Sequence, residues 1–314
     1  MPPREFRNPN QPFIASKSEL SRFRPLTPEE TARAKGEIKT EKIGQATEGM
    51  ISMESAEKIL GQESFHGPSA VEQTFGIKIP ESEVPPIPFT AEDLERAKEL
   101  GQMLILRVDT APDGQPLTME KMHELLQDKF TKEGKGKVLY DTAGWKKDKD
   151  FFIKETPELR WALVSKEVIP NSTSKNYLQQ TEIISDYLRN TVFKDKTLPT
   201  EYAEAIKEFY DQKADIEKAM KTDDWQKAAE LLSNLQINQF TRQTPAEILY
   251  DILIHFQTTG EYLLGNNKLT WTSRRSSGGG LVGFGLSDAD GVNVSDWDPV
   301  SSIDGLGAAF SRSL

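Results

Sequence analysis

The sequence predicts an α+β fold built around an antiparallel sheet, and three observations predict it. Helical and strand-like patterns alternate from Thr90 to Phe256. The helix openings at Thr90 and at Thr244-Pro245 carry start signals of their own. After Gly265 the pattern changes from helical periodicity to short apolar runs between Gly, Ser and Asp, which is the composition of a β-meander.

Residues 1–84 hold a Pro- and Arg-containing start, a polar helical stretch from Thr27 and a segment ending in Pro85-Pro86-Ile87-Pro88. Their apolar stripe is thin, so they are expected to form a partly disordered arm or a partner-docking segment. Thr90 then serves as N-cap with Asp93 at the capping-box position, and the helix stops at Gly101. A strand, MLILRV, follows, with a turn at Pro112-Asp113-Gly114 and a helix carrying Met119, Met122, Leu125, Leu126 and Phe130 on one face. This makes residues 85–154 a small βα scaffold unit. A second unit has RWALVSKEVI as its strand and SKNYLQQTEIISDYLRNTVF as its helix. A helical hairpin is expected over 200–235, turning at Lys221 to Asp224, with Tyr202, Ile206, Phe209 and Ile216 facing Trp225, Ala228, Leu231 and Leu232. Thr244-Pro245 opens the last helix, through Phe256, and the meander closes the chain.

Composition narrows the function. A chain of 314 residues at 36% apolar content can bury a sizeable core. Its net charge of −10 argues against nucleic acid or an anionic membrane as the main partner, because such surfaces call for a basic footprint. There is no cysteine, which removes disulfides, thiolate metal sites and thiol nucleophiles together. No apolar leader or membrane-length run is visible, so a cytoplasmic protein is expected.

The tail is the most informative segment. The last 46 residues contain no Lys, Glu, Gln or Met, although these types fill 78 of the 268 positions before them. Exposed strand positions ordinarily carry Lys and Glu. The missing types, together with Trp, are those that no codon ending in a pyrimidine encodes. Only Trp271 and Trp297 break that rule, so both are expected to be fixed, buried scaffold.

Several segments resemble the formylglycine-generating-enzyme-like branch of the C-type lectin fold. Trp161-Ala-Leu-Val-Ser-Lys-Glu-Val-Ile and the helix with Tyr177 and Ile184 resemble that family's first strand and helix, and Arg242-Gln-Thr-Pro-Ala-Glu-Ile-Leu-Tyr250 resembles the start of its second helix. Leu269-Thr-Trp-Thr-Ser-Arg and Leu306-Gly-Ala-Ala-Phe-Ser-Arg312 stand where its later strands belong. The resemblance covers 155–314, with 200–235 as an insertion. Such a fold ending in a tail of pyrimidine-ending codons resembles the variable proteins of diversity-generating retroelements, in which adenines of a template repeat are randomised and copied back into the gene. SKEVIPNSTSKNY and QFTRQTPAEILYD also resemble a group of proteins, from bacterial lineages with reduced genomes, whose tails vary from copy to copy.

The resemblance implies a ligand-binding protein with a hypervariable recognition surface and no catalytic role. The candidate face is Phe284, Leu286, Asp288, Asn293, Asp296, Asp298, Val300, Ser301, Ser302 and Ile303, held between Trp271 and Trp297, with a protein or peptide as ligand. Two alternatives stand beside it: an enzyme of the same fold with unfamiliar chemistry, and a structural or assembly protein capped by a β-rich tail. The family's cysteine and His-rich chemistry has no counterpart here, and His66, His123 and His255 stand in three separate regions and read as packing or surface residues. Asp288, Asp290, Asn293, Asp296 and Asp298 invite a calcium reading, but EF-hand spacing is absent and Asp-rich turns account for them. Neither metal nor cofactor is expected.

Overall fold

The computed structural model describes residues 51–313 apart from Trp145, Asp148, Asp223 and Asn266. The polar helix expected from Thr27 lies outside the described residues. Two four-stranded sheets form the frame. The first holds β1 (Phe65–His66), β2 (Gln102–Arg107), β3 (Arg160–Ser165) and β8 (Ser311–Arg312), in that order. The second holds β6 (Gly291–Trp297), β5 (Leu281–Asp288), β4 (Leu269–Arg275) and β7 (Leu306–Gly307).

Local chemistry explains the helices. Ser52 caps α1 (Met53–Leu60) by accepting from the Ser55 amide, and Pro68 opens α2 (Pro68–Phe75), which ends on left-handed Gly76. Capping boxes start α3 (Ala91–Glu99) from Thr90, α6 (Tyr177–Tyr187) from Asn176 and α10 (Pro245–Thr259) from Thr244. α4 (Met119–Lys132) buries Met119, Met122, Leu126 and Phe130 as its spacing predicts, and a single turn, α5 (Asp150–Ile153), buries Phe151 and Phe152. The expected hairpin is present as α7 (Thr200–Met220) and α8 (Trp225–Asn234), followed by α9 (Gln236–Thr241).

Two boundaries read from the sequence fall inside packed structure. Residues 51–84 belong to the fold: Ala56, Leu60, Val71 and Phe75 enter the core, on helices too short to show a periodic stripe. The division between 154 and 155 separates two strands that pair at six positions, from Gln102↔Ser165 to Arg107↔Arg160. The sheet of the second unit is therefore shared, and the scaffold unit does not stand apart from the domain that follows it.

The chain's end binds the two sheets together. Leu306 and Gly307 pair in parallel with Leu269 and Thr270, and a few residues later Ser311 and Arg312 pair with Val164 and Leu163 of the first sheet. Helix α10 contacts strands of both sheets. Every residue of it from Pro245 to Gln257 is buried, as expected of a helix enclosed on all sides. Among the described residues, no helix is long and apolar enough to cross a membrane.

At the centre lies an ion cluster. Arg107, at the end of β2, donates Nε to Asp251 Oδ1 at 3.0 Å and Nη2 to Asp251 Oδ2 at 2.6 Å, while Nη1 pairs with Glu247 Oε1 at 2.9 Å. Arg160 of β3 reaches the same Glu247 oxygen at 2.8 Å, and Arg107 Nη2 also donates to Ser311 Oγ at 3.2 Å. Burial opposes charge on Arg107, but Asp251 and Glu247 hold it protonated beyond its ordinary range. Burial also opposes charge on Glu247, yet Arg107 and Arg160 bring its carboxyl below the usual value. Burial pushes the Asp251 carboxyl up. It nevertheless accepts from two Arg107 nitrogens and from Gln243 Nε2 at 3.1 Å, a set that only the ionised form satisfies in full.

Removing Arg107 would leave the buried Asp251 without a cation and Glu247 with Arg160 alone. Arg107→Ala is expected to lower stability by about 3–5 kcal/mol in denaturant melts, whereas Arg160→Ala, at a half-exposed position, should cost about 1 kcal/mol or less.

Candidate functional site

The tail does not lie on the surface as a separate cap. It forms the second sheet, which is enclosed on both faces. Val282, Phe284, Val292 and Val294 face the core shared with α10, and Leu269, Trp271, Leu281 and Leu306 face a second core under α6 to α9. Tyr177 of α6 meets Trp271 edge-on at 5.6 Å between ring centroids, and its hydroxyl donates to the Thr272 carbonyl at 3.0 Å. Trp271 is 1% exposed, as expected of scaffold. Trp297 is half-buried: it stands edge-on to Trp271 at 5.4 Å and lies over Gly283, where a Cβ would come within 2.4 Å of its ring. Both tryptophans are expected to be largely buried: Trp271 is fully so, and Trp297 is partly covered by its contact with Trp271 and Gly283.

The ten candidate residues divide by environment. Phe284 is 0% exposed and cannot belong to a surface; it pairs with Val294, and strand alternation turns both toward α10. Leu286, 38% exposed, and Asp288 stand by the turn from β5 to β6. Leu286 sits at φ 49 beside a break in strand register, a left-handed conformation costly for a leucine. Asn293 is half-buried, its Oδ1 accepting from Ser295 Oγ at 2.7 Å. Asp296 accepts from Ser276 Oγ at 2.7 Å and so ties the β4–β5 turn to β6. Asp298 accepts from the Val300 amide and the Ser301 hydroxyl, closing its own turn.

Val300, 43% exposed, Ser301, Ser302 and Ile303 lie on the connection that leaves edge strand β6 and rejoins the sheet as β7 on the far side of β4. Ser302 Oγ donates to the Ser174 carbonyl at 3.0 Å, and Ile303 packs against the second core. Leu286 and the end of this connection flank the start of β4, since the Leu286 amide donates to Lys268 O and the Leu269 amide to Gly305 O. Leu286, Asp288, Val300 and Ser302 are the exposed members of the set. Leu286 and Asp288 stand at the end of β5, and Val300 and Ser302 on the connection from β6 to β7.

Two histidines that the sequence keeps apart meet in the core. His66 Nε2 lies 3.1 Å from His255 Nδ1 across 189 positions, so no spacing rule could have joined them. Thr258 Oγ1 gives its proton to backbone carbonyls, Ile254 O at 2.8 Å being the nearest, and lies 3.4 Å from His66 Nδ1. That leaves Thr258 Oγ1 as acceptor, places the His66 proton on Nδ1 and makes His255 Nδ1–H the donor of the pair. Burial lowers His66 to about 3, helped by His255 and Lys166, and lowers His255 to about 4, helped by Lys166. Both imidazoles are neutral at pH 7, and the pair is a packed polar contact. Among the described residues, no group of three or more His, Asp or Glu side chains is arranged to hold a metal ion.

A concavity lies elsewhere. A cleft of about 790 Å³ opens between α1, α2 and the end of α10, with His66, Thr258 and Thr259 along its wall. No family model, curated protein or solved structure matches the chain.

Two measurements follow from this geometry. Trp271→Ala and Phe284→Ala should each cost about 3–5 kcal/mol, Trp297→Ala less, and Asp288→Asn or Ser302→Ala no more than about 0.5 kcal/mol in the same melts. The histidine pair should also make stability depend on pH. Its folded pKa values, about 3 and about 4, lie below the unfolded value near 6.5. The unfolded chain therefore gains protons first, and stability present above pH 6.5 is lost as pH falls toward 4. At pH 5 the loss is on the order of 2 kcal/mol per histidine, and replacing both with Gln should flatten the difference between melts at pH 7 and pH 5.

Proposed function

We propose that this chain is a ligand-binding protein with a C-type-lectin-like domain, whose C-terminal loops form a recognition surface diversified by a retroelement. The observation that carries the proposal is the alphabet at exposed positions. Burial on both faces accounts for the absence of Lys and Glu from the strands of the second sheet. It does not account for Ser277, Gly278, Leu286, Asp288, Ala289, Asp290, Val300, Ser302 and Asp304, nine exposed tail positions without one Lys, Glu or Gln. Exposed helix positions earlier in the chain, such as Glu54, Glu57 and Lys58, use those residues freely. A restriction on codons reaches exposed and buried positions alike; a restriction from packing does not.

The motif order supports the C-type-lectin-like part of the reading. The strand read as first in that unit, β3, is hydrogen-bonded to the strand read as last, β8. The exposed set mixes the apolar Leu286 and Val300 with the carboxylates Asp288 and Asp304, a composition suited to a protein or peptide surface. The tail's burial favours a second reading, in which it serves only as a structural element of the core. That reading leaves the exposed alphabet without a cause.

Sequencing the DNA around the gene separates the two. The proposal expects a near-identical repeat of the tail-coding segment, mismatched at adenines alone, beside a reverse-transcriptase gene. It also expects copies of the protein to differ at Leu286, Asp288, Val300 and Ser302 while keeping Trp271, Trp297 and Arg312. Copies that vary as often at Phe284 or Trp271 as at Leu286 would overturn it.

A further inference from the structure

The cleft between α1, α2 and the end of α10 is built from residues 53–84 with Thr258 and Thr259, and no tail residue lines it. Its apolar surface comes from Met53, Phe65, Ile79 and Val84, while Glu54, Glu57, Glu63 and Glu81 stand around them, all four exposed. Among the described residues, none of these carboxylates forms an ion pair and no Lys or Arg lines the cleft; Lys129 reaches the Gln73 carbonyl at 2.7 Å without entering the lining. The wall includes the C-terminal turn of α10, the negative end of a fifteen-residue helix dipole. His66 adds no opposing charge, since burial lowers it to about 3.

From this complementarity we infer that the cleft is a second docking site, for a polypeptide segment that carries Lys or Arg beside an apolar side chain. The apolar side chain enters among Met53, Phe65, Ile79 and Val84, and the cationic groups meet the surrounding glutamates. The volume of about 790 Å³ suits a few residues of such a segment rather than a whole domain face. Because the tail contributes nothing to it, this site is constant in copies that differ only in the tail. It stands whether or not the tail loops recognise a ligand.

The test uses the full-length protein with three fluorescent probes: a short alternating Lys/Leu peptide, its Glu/Leu counterpart and labelled spermidine. The inference expects saturable binding of the Lys/Leu peptide that weakens with added salt. It expects a loss of about tenfold or more in a variant carrying Glu54→Gln, Glu57→Gln, Glu63→Gln and Glu81→Gln. A control variant with Glu120→Gln, Glu201→Gln, Glu204→Gln and Glu261→Gln removes the same charge from exposed positions elsewhere and should bind like the parent. Melts of both variants report folding, and Met53→Ser tests the apolar contact separately by weakening the peptide without changing its salt dependence. Equal loss in the two glutamine variants would reduce the effect to net charge and overturn the inference. So would tight binding of the Glu/Leu peptide, or spermidine binding as strongly as the Lys/Leu peptide.

Discussion

Arg107 and its two carboxylates set the register of the whole molecule. One guanidinium at the end of β2 satisfies Asp251 and Glu247 one turn apart on α10 and touches Ser311 of the last strand. A buried charge accepts few geometries, because sliding the helix by one residue would leave a carboxylate without its partner at a cost of several kcal/mol. Hydrophobic contacts around α10 are less exacting, since its surface is apolar in nearly every direction and would pack at several rotations. The ions choose among the packings that the apolar side chains make possible.

That fixed helix gives the second sheet a wall on which to form. Phe284 and Val282 rest against it, while Trp271 and Leu281 are covered from the other side by α6 and the helices after it. The restricted residue alphabet of the tail and its central position in the fold are thus compatible. The strands hold the sheet in place, and the loops at its ends and the connection from β6 to β7 carry the exposed residues. Leu286 marks where these demands meet: its amide bonds to Lys268 O while its side chain points outward from a left-handed backbone.

What was legible in the sequence was local. Thr90 with Asp93 and Thr244 with Pro245 are read within a single turn, and the stripe from Met119 to Phe130 within four; each gave a helix where expected. The sheet partners were not legible, because β2 and β3 are joined by more than fifty residues of other structure and nothing in either strand encodes the other's position. His66 with His255, and Arg107 with Asp251, are meetings of the same long-range kind. Phe284 was misplaced for a different reason. It lies between Gly283 and Gly285, so the alternation that would have marked it as inward-facing has no side chains on the other face to reveal it.

Arg312 lies between the rings of Phe89 and Phe193, 5.2 and 5.3 Å from their centroids, with Asp93 at 3.7 Å, and its strand closes the first sheet. A polypeptide that stops short of this residue, or arrives there in the wrong frame, lacks a strand of the sheet laid down by the earliest described segments. Folding of the core therefore depends on the reading frame holding through Arg312, and a frameshift anywhere upstream in the tail costs the first sheet a strand.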